Sequence, residues 1–303
     1  CLACNTYCSG HLVVNKPISC AVNAEANYEF EYKITKTENP RKVVVIGGGP
    51  GGMEAARVAS LMGHDVTLYE KSGELGGTLI AAAKPCFKGR IRNYTAWQIR
   101  QLEKQNVKIV FHKALTADSE ELTDADRIII AIGAQPAKLP IPGLDGSNVV
   151  NVIDYHLDNS RLKGEKILVA GGGASGCDCA LELAMEGRDV TIVEMLDGLV
   201  KGMVSYSREP LLYELRKYNV NILLNTKILE ITEEGVRVEK DGAEAFLPAD
   251  MVVDAFGMKA RREEAFGIAR KYGHNAVIIG DCDRAAQIGE AVRGGYFAAF
   301  AIH

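Results

Sequence analysis

Short apolar runs rich in β-branched residues alternate along this chain with glycine-rich turns and segments of helical spacing. The alternation becomes regular at an apolar run over 41–46, which is followed by glycines at 47–52 and by small residues with helical spacing at 53–62. A second β-type run occupies 66–70. This order predicts a strand, a tight turn, a helix and a second strand, which is the repeating unit of a doubly wound parallel sheet.

The same unit occurs a second time, with β-type runs at 166–170 and 190–194 on either side of a glycine loop at 171–176 and a helical pattern at 177–185. In both copies a glutamate follows the first glycine by 23 residues, Glu70 after Gly47 and Glu194 after Gly171. The repeat predicts two related α/β domains. Further strands are predicted at 107–112, 127–132, 222–225, 235–239, 251–256 and 276–280, and a small-residue helix at 285–302.

Both glycine loops contain the pattern G-x-G-x-x-G between a predicted strand and a predicted helix. The first glycine permits the tight turn, the second permits close approach of a pyrophosphate, and the third lets the helix pack on the sheet. A dinucleotide phosphate then lies at the helix N-terminus, and the glutamate accepts hydrogen bonds from a ribose diol. The alternative to nucleotide binding is that both loops are ordinary turns and both glutamates are solvated. The candidate residues are Gly47, Gly49, Pro50, Gly52 and Glu70 in the first copy and Gly171, Gly173, Ser175, Gly176 and Glu194 in the second.

The residues around Glu194 favour NADH over NADPH, because a carboxylate there repels a 2′-phosphate and residues 195–197 supply no cation. NADPH stays an alternative if Arg188, Lys201 or Arg208 folds back towards the ribose.

Composition narrows the classes of protein. A chain of 303 residues with 47% hydrophobic and 24% charged residues suits a globular protein of two domains. The net charge of −4 and the lack of a Lys/Arg block argue against nucleic acid and anionic membranes as partners. Apolar runs are too short to span a bilayer, and no secretory signal pattern is present. We therefore expect a cytoplasmic location. Because the first residue is Cys1 and not methionine, we also expect a piece of a longer protein.

Four of the eight cysteines lie within the first twenty residues, at Cys1, Cys4, Cys8 and Cys20. In a cytosolic setting, clustered cysteines more often bind metal than form disulfides. The spread of three close cysteines and one distant cysteine favours an iron–sulfur cluster, whereas zinc sites usually pair two Cys-x2-Cys knuckles. Zinc and disulfides remain open alternatives on the chemistry alone.

The paired loops, the strand ends Ala131–Gly133 and Ala255–Gly257, and Gly280-Asp281 resemble the glutathione-reductase-like flavoproteins. The resemblance implies an α/β fold of two nested Rossmann-like dinucleotide-binding domains, the second inserted into the first. It implies an FAD (or ADP)-binding domain at 41–148 plus 262–303 and an NAD(P)-binding domain at 149–261. Further cofactor-binding residues implied by the resemblance are Lys71, Gly76, Gly77, Thr78, Ala114, Ala131, Gly133, Gly257, Gly280 and Asp281. Because no cysteine pair of the disulfide reductases lies beside the predicted flavin, a disulfide reductase is not expected.

The cysteine spacing ahead of two dinucleotide domains is similar to the C-terminal half of the 2,4-dienoyl-CoA reductase, 2-enoate reductase and trimethylamine dehydrogenase family of NADH:flavin oxidoreductases. That resemblance covers essentially the whole chain. It implies a 4Fe–4S cluster on Cys1, Cys4, Cys8 and Cys20, within a segment and linker at 1–40. It also implies FMN on an old-yellow-enzyme-like barrel that this sequence lacks, and that barrel is the expected partner in the same parent chain.

The activity implied is hydride transfer from NADH to FAD, followed by electron flow through the cluster to FMN, which reduces an enoate- or enoyl-type C=C bond. No side chain of this sequence is predicted to be a catalytic acid or base. Two alternatives stay open: an amine-dehydrogenase-like module with structural ADP and no nicotinamide turnover, and a non-enzymatic nucleotide-binding remnant. The sequence leaves open whether the chain forms a homo-oligomer.

Overall fold

The computed structural model describes residues 1–303, which divide into two compact units. The first unit contains Cys1–Ile80, Arg90–Gln135 and Lys259–His303, and the second contains Ala81–Gly89 and Pro136–Met258. The chain therefore leaves the first unit twice, once for nine residues and once for the body of the second unit. Numbered along the whole chain, the short strands β5 (Ala134–Pro136) and β14 (Met258–Ala260) lie at the boundaries of the longer excursion.

The first unit is built on a five-stranded parallel sheet. Its strands are β1 (Lys42–Ile46), β2 (Asp65–Tyr69), β3 (Lys108–Val110), β4 (Arg127–Ile130) and β15 (Ala276–Ile278), in the order β15-β4-β1-β2-β3. Its helices are α1 (Ser9–Leu12), α2 (Pro50–Leu61), α3 (Leu79–Ala82), α4 (Gly89–Lys104), α8 (Arg262–Tyr272) and α9 (Ile288–Phe300), of which α3 and α4 extend into the nine-residue excursion.

Helices α2 and α9 lie in unusually close backbone contact. A Cβ added at Gly295 of α9 would lie 2.1 Å from the carbonyl oxygen of Gly51, and one added at Gly51 would lie 2.8 Å from the carbonyl oxygen of Ala291. The remaining α2 face is made of small side chains such as Ala55 and Ala59, both fully buried. Because these positions carry little or no side chain, α9 is held against the first turn of α2.

The second unit repeats the parallel sheet. Its strands are β6 (Val149–Asn151), β7 (Lys166–Ala170), β8 (Asp189–Val193), β9 (Asn221–Leu223) and β13 (Met251–Asp254), in the order β6-β13-β7-β8-β9. An antiparallel sheet of β10 (Thr226–Thr232), β11 (Gly235–Lys240) and β12 (Ala243–Pro248) covers it, and the helices are α5 (Val152–Leu157), α6 (Ala174–Met185) and α7 (Ser205–Lys217). The two orders correspond at four positions, where β13, β7, β8 and β9 match β4, β1, β2 and β3. The edge strands differ, because β15 is the last strand of the first unit along the chain and β6 is the first strand of the second. The sequence repeat is therefore a structural repeat over these four strands.

The predicted strands all occur, most with ends shifted by one or two residues, and both loop helices begin three residues earlier than the spacing indicates. The closing helix begins at Ile288, after a capping box between Gln287 and Glu290, and not at 285. Six helices (α1, α3, α4, α5, α7 and α8) and five strands (β5, β6, β10, β12 and β14) lie outside the predictions. The linker predicted within 1–40 also contributes to the core of the first unit, because Ala24 is buried there with Tyr32 packed beside it. None of the helices has the length and apolar content to cross a bilayer.

Candidate nucleotide-binding sites

The loop at 47–52, called here the first cradle, is closed by two contacts that only glycine permits. Gly47 has φ +104°, and a Cβ there would lie 2.4 Å from the carbonyl oxygen of Ala131. A Cβ on Gly52 would lie 1.9 Å from the carbonyl oxygen of Gly47. At Gly49, by contrast, an added Cβ meets no atom within 4 Å. The first and last glycines of the loop are therefore in close contact with neighbouring backbone, whereas the middle glycine is open and a phosphate has room to approach it.

Helix α2 begins at this opening with Gly49 as its N-cap residue and Pro50 as its first helical residue. No side chain caps it, so first-turn N–H groups remain to be satisfied, and the helix dipole favours an anion there. Gln98 of α4, almost fully buried, donates from Nε2 to the carbonyl oxygen of Pro50 at 3.0 Å. The first turn of α2 is thus held in place from outside the loop.

Glu70, buried at the end of β2, binds the cradle itself. Its Oε2 accepts a hydrogen bond from the Gly48 N–H at 2.7 Å, and its Oε1 accepts from the N–H and the hydroxyl of Ser72, both at 2.8 Å. A carboxylate oxygen has more than one acceptor position, so a ribose diol can still be bound beside these donors. Sequence spacing predicted the position of Glu70 but not its contact with Gly48 or Ser72.

Two glycines after Glu70 contact the first cradle. The Gly76 N–H donates to the Gly48 carbonyl oxygen at 2.9 Å, and a Cβ on Gly77 would lie 3.1 Å from the Cα of Gly49. Gly133, with φ +73°, has open space where its Cβ would be. Lys71, Thr78 and Ala114 are exposed, and Ala131 is half-buried beside Gly52.

Gly280 and Asp281 lie in a short 3-10 turn ahead of α9. Gly280 has φ +65°. The Asp281 carboxylate accepts a hydrogen bond from the Ala286 N–H at 3.1 Å. Burial raises the pKa of Asp281 above its ordinary value, while this hydrogen bond acts in the opposite direction. The carboxylate is therefore partly desolvated and has room for a further donor.

The loop at 171–176, the second cradle, has the same geometry. Gly171 has φ +117° and a Cβ there would lie 2.5 Å from the Ala255 carbonyl oxygen, while a Cβ on Gly176 would lie 2.1 Å from the Gly171 carbonyl oxygen. Gly173 is the N-cap of α6, without a side-chain cap, and has no atom within 4 Å of its added Cβ. Ser175 is exposed on the first turn, and Gly257, with φ +96°, faces open space as Gly133 does.

Glu194 repeats the contacts of Glu70. Its Oε2 accepts from the Gly172 N–H at 2.7 Å and its Oε1 from the Leu196 N–H at 2.8 Å. The cations that could reverse the cofactor preference have other partners. Lys201 pairs with Asp197, Arg208 donates from Nε to the Leu199 carbonyl oxygen at 3.1 Å and from Nη1 to Glu209, and Arg188 pairs with Glu165 at 3.2 Å.

Helix α6 also carries two acidic side chains whose ion pairs were not predicted from the sequence. Asp178, on its second turn, pairs with Lys88 of the nine-residue excursion at 2.6 Å, with side chains 17% and 27% exposed. Burial raises the pKa of Asp178, and Lys88 opposes that shift. One turn later, Glu182 lies 3.2 Å from Nδ1 of His156. The excursion is thereby attached to the helix that begins at the second cradle.

The four N-terminal cysteines are not brought together as a ligand set. Cys1 and Cys8 are exposed, Cys4 and Cys20 are half-buried, and none is in a disulfide. No group of three or more His, Cys, Asp or Glu side chains in this structure is placed to hold a metal ion. The chemistry of the donor set, four clustered thiols, suits an iron–sulfur cluster, but the ligand geometry is not formed.

The cysteine segment is nevertheless fixed to the first unit at the start of α9. The Tyr7 ring covers Gly289, where an added Cβ would lie 2.5 Å from Tyr7 Cε2. Arg293 lies 6.0 Å above that ring and donates from Nη1 to the Ser19 hydroxyl at 2.8 Å. Since α9 packs on α2, the segment is connected to the helix of the first cradle through one intervening helix.

The two cradles share three features that suit a dinucleotide. Each has an open central glycine, an uncapped helix start and a carboxylate bound to the loop, and these features together provide the phosphate and ribose sites that a dinucleotide needs. In each unit a second open glycine, Gly133 or Gly257, follows the strand next to the cradle strand.

Comparison with known proteins agrees with this geometry. Residues 41–284 match the family model described as pyridine nucleotide-disulphide oxidoreductase. A bilirubin reductase of Mediterraneibacter gnavus is 36% identical over 99% of this chain and 46% of its own length. A cinnamate reductase of Clostridium sporogenes is 34% identical over 98% of this chain and 44% of its own length.

Among solved structures, a 2-naphthoyl-CoA reductase superposes with a TM-score of 0.92 at 30% identity, over 100% of this chain and 46% of its own. The chain thus spans slightly less than half the length of these relatives, all of which are named as reductases.

Proposed function

The chain belongs to the pyridine nucleotide-disulphide oxidoreductase family, and on that premise we propose that it is the electron-input portion of an NADH-dependent flavin oxidoreductase. FAD binds in the first cradle and NADH in the second. The corresponding domains are 41–148 plus 262–303 for FAD and 149–261 for NADH. Names of the relatives, among them bilirubin reductase and cinnamate reductase, support a reductase of a C=C bond as the activity of the whole protein.

One observation carries this proposal: the same binding geometry occurs twice in one chain. In each unit the middle glycine is open, and the carboxylate at the end of the second strand accepts from the cradle N–H at 2.7 Å. A single cradle suits any nucleotide-binding protein. Two cradles suit a protein that brings an electron donor and an acceptor onto one chain.

NADH is favoured over NADPH by the charges around Glu194. The half-buried carboxylate repels a 2′-phosphate, and the nearby Lys201 and Arg208 already have carboxylate or carbonyl partners. A 2′-phosphate would have to break one of these pairs to gain a cation. We therefore expect a higher kcat/KM with NADH than with NADPH. We expect Glu194→Ser to reduce the ratio of these two values, mainly by weakening the binding of NADH.

When bound, the nicotinamide supplies a hydride, and the flavin takes up electrons in pairs and releases them singly. The residues of this chain bind and orient these groups. Gly49 and Gly173 allow phosphate approach, Glu70 and Glu194 hold the ribose hydroxyls, and Asp281 accepts a hydrogen bond from the first cofactor. The remaining proposed binding positions are those implied by the resemblance, and none acts as a catalytic acid or base.

We further propose that Cys1, Cys4, Cys8 and Cys20 hold a 4Fe–4S cluster, which would supply one-electron transfer. Support comes from the clustering of four thiols outside any disulfide and from the attachment of their segment to α9. The remaining half of each relative's length is where an FMN-binding barrel belongs in the proposal. That barrel would carry the substrate, so the residues described here do not determine substrate specificity.

The test is an anaerobic titration of the FAD-loaded, cluster-free chain with NADH, in which the flavin is the only electron acceptor. The proposal predicts that NADH bleaches the flavin absorbance with an end point near one equivalent, and that Gly173→Ala, in which only the second cradle is changed, requires a large excess. If nucleotide extraction yields ADP in place of FAD, the amine-dehydrogenase-like alternative is favoured. A flavin that stays oxidised in saturating NADH would overturn the reductase proposal.

A further inference from the structure

Helix α4 holds a buried amide that uses only half of its hydrogen-bonding capacity. Gln98 is 1% exposed and lies one turn before Leu102, which is fully buried. Its Nε2 donates to the Pro50 carbonyl oxygen at 3.0 Å, whereas its Oε1 has no hydrogen-bond partner. An unpaired buried acceptor costs free energy, and an apolar side chain in this place would avoid that cost. Packing alone therefore does not explain a glutamine here, and its one bond goes to the first turn of α2.

The carbonyl that Gln98 binds belongs to the same peptide unit as the Gly51 N–H. A peptide unit is planar and trans, so its C=O and its N–H point in opposite directions. A bond that fixes the direction of the Pro50 carbonyl therefore also fixes the direction of the Gly51 N–H. The same bond polarises the peptide unit, which makes its N–H a stronger donor.

Few donors in the first turn of α2 remain for a phosphate. Pro50, the first helical residue, has no N–H, and the Met53 N–H already donates to the Gly49 carbonyl oxygen at 2.9 Å. The N–H groups of Gly51 and Gly52 are left at the helix start. Gly51 is also in close contact with α9, because a Cβ added to it would lie 2.8 Å from a carbonyl oxygen of that helix. The backbone that carries one of the two remaining donors is thus held by both α4 and α9.

We propose that Gln98 is a positioning residue for the nucleotide of the first cradle, because it aims the Gly51 N–H at the pyrophosphate. This inference deepens the proposed function and rests on nucleotide binding in that cradle. Gln98 acts through the peptide unit between Pro50 and Gly51 and makes no phosphate contact of its own. A donor that is already oriented loses little freedom when the phosphate arrives, so the bond from Gln98 increases affinity.

The experiment measures the dissociation constants of FAD and NADH for the full, nucleotide-free chain in wild type, Gln98→Met and Gln101→Met. Methionine keeps the length of glutamine and lacks its amide. Gln101 is the matched control, because it lies on the same helix and is only half-buried. Gln98→Met should weaken FAD binding about tenfold, which corresponds to the loss of one hydrogen bond. Its NADH affinity should stay at the wild-type value, and Gln101→Met should match wild type for both nucleotides.

A second variant, Gln98→Glu, separates positioning from a role in packing. A protonated carboxyl group can donate to the Pro50 carbonyl oxygen as the amide does, whereas a carboxylate cannot. Because burial favours the protonated form of a carboxyl group, Gln98→Glu should carry this donor at about pH 5. Its FAD affinity at that pH should therefore return to the value of wild type measured under the same conditions.

Three results would overturn the inference: wild-type FAD affinity in Gln98→Met, an equal loss of FAD and NADH affinity in that variant, or weak FAD binding by Gln98→Glu at about pH 5. Urea unfolding of the nucleotide-free forms establishes that each variant is folded. If Gln98→Met does not fold, the comparison of Gln98→Glu with wild type decides the question. Wild type that binds no FAD would overturn the first site of the proposed function together with this inference, whereas wild type that binds FAD beside an unaffected Gln98→Met overturns this inference alone.

Discussion

Two glycines of the second cradle, three residues apart, should fail in different ways when each is replaced by alanine. In Gly176→Ala the new methyl would lie 2.1 Å from the Gly171 carbonyl oxygen and 3.2 Å from the Ala255 Cβ. Both contacts belong to strand ends, so no side chain can rotate away. Helix α6 must therefore move from the sheet by about 1 Å, and over-packing of this kind costs about 1–3 kcal/mol.

This cost should lower the free energy of unfolding, because α6 packs Cys177, Cys179 and Leu183 into the core with no exposed surface.

Gly173→Ala should behave differently. Its φ of −70° and ψ of 179° suit alanine, and no atom lies within 4 Å of the new methyl. Its free energy of unfolding should stay within about 1 kcal/mol of wild type. The methyl instead occupies the space of a bound pyrophosphate, and a loss of about 1–3 kcal/mol in binding weakens NADH roughly 5- to 150-fold.

Urea unfolding followed by circular dichroism gives the stability, and NADH fluorescence gives the affinity. The control is Gly267→Ala, in the middle of α8, where no atom lies within 4 Å of the added methyl and φ is ordinary. It should raise stability by about 0.5–1 kcal/mol, as alanine does for glycine in a helix, and leave NADH affinity unchanged. The reasoning is refuted if Gly176→Ala is as stable as wild type, or if Gly173→Ala binds NADH normally.

Three other changes test separate parts of the structure. Lys88→Met should destabilise the second unit by about 1–3 kcal/mol, because the Asp178 carboxylate loses its ion-pair partner. The double variant with Asp178→Leu should recover most of that loss in urea unfolding, and additive losses in the two single variants would contradict this. Cys20→Ser should abolish iron uptake on reconstitution, whereas Cys86→Ser should retain it, and equal iron contents would argue against the proposed ligands. Backbone hydrogen bonds lower the pKa of Asp250 in the folded protein. Its contribution to stability is therefore complete above the unfolded pKa and is lost as pH falls through the folded pKa. Asp250→Asn should lose less stability than wild type on acidification, and unfolding free energies that fall in parallel with pH in the two proteins would refute this prediction.

The repeat was readable from the sequence because it depends on local chemistry. The spacing from Gly47 to Glu70 and from Gly171 to Glu194 is a property of one strand–helix–strand unit, so it survives any tertiary arrangement. The same logic located the turn glycines, whose positive φ values are local conformational requirements.

The features that were not predicted from the sequence depend on contacts between residues that lie far apart in the chain. Helix α4 has few apolar residues, so its spacing did not stand out, and its buried face is explained only by α2 and the cysteine segment. The pair between Lys88 and Asp178 joins residues far apart in the chain. Cys177 and Cys179 lie two residues apart on α6, so they point in different directions, yet both are fully buried. A helix enclosed between a sheet and other helices buries more than one face.

The central claim is that each cradle binds its own dinucleotide, and the stoichiometry of bound nucleotide tests it most directly. Chains saturated with FAD and NADH under reducing, anaerobic conditions should hold one of each. Gly49→Ala should lose FAD and keep NADH, and Gly173→Ala should lose NADH and keep FAD. A single nucleotide per chain, or variants that lose both nucleotides together while remaining folded, would contradict the account.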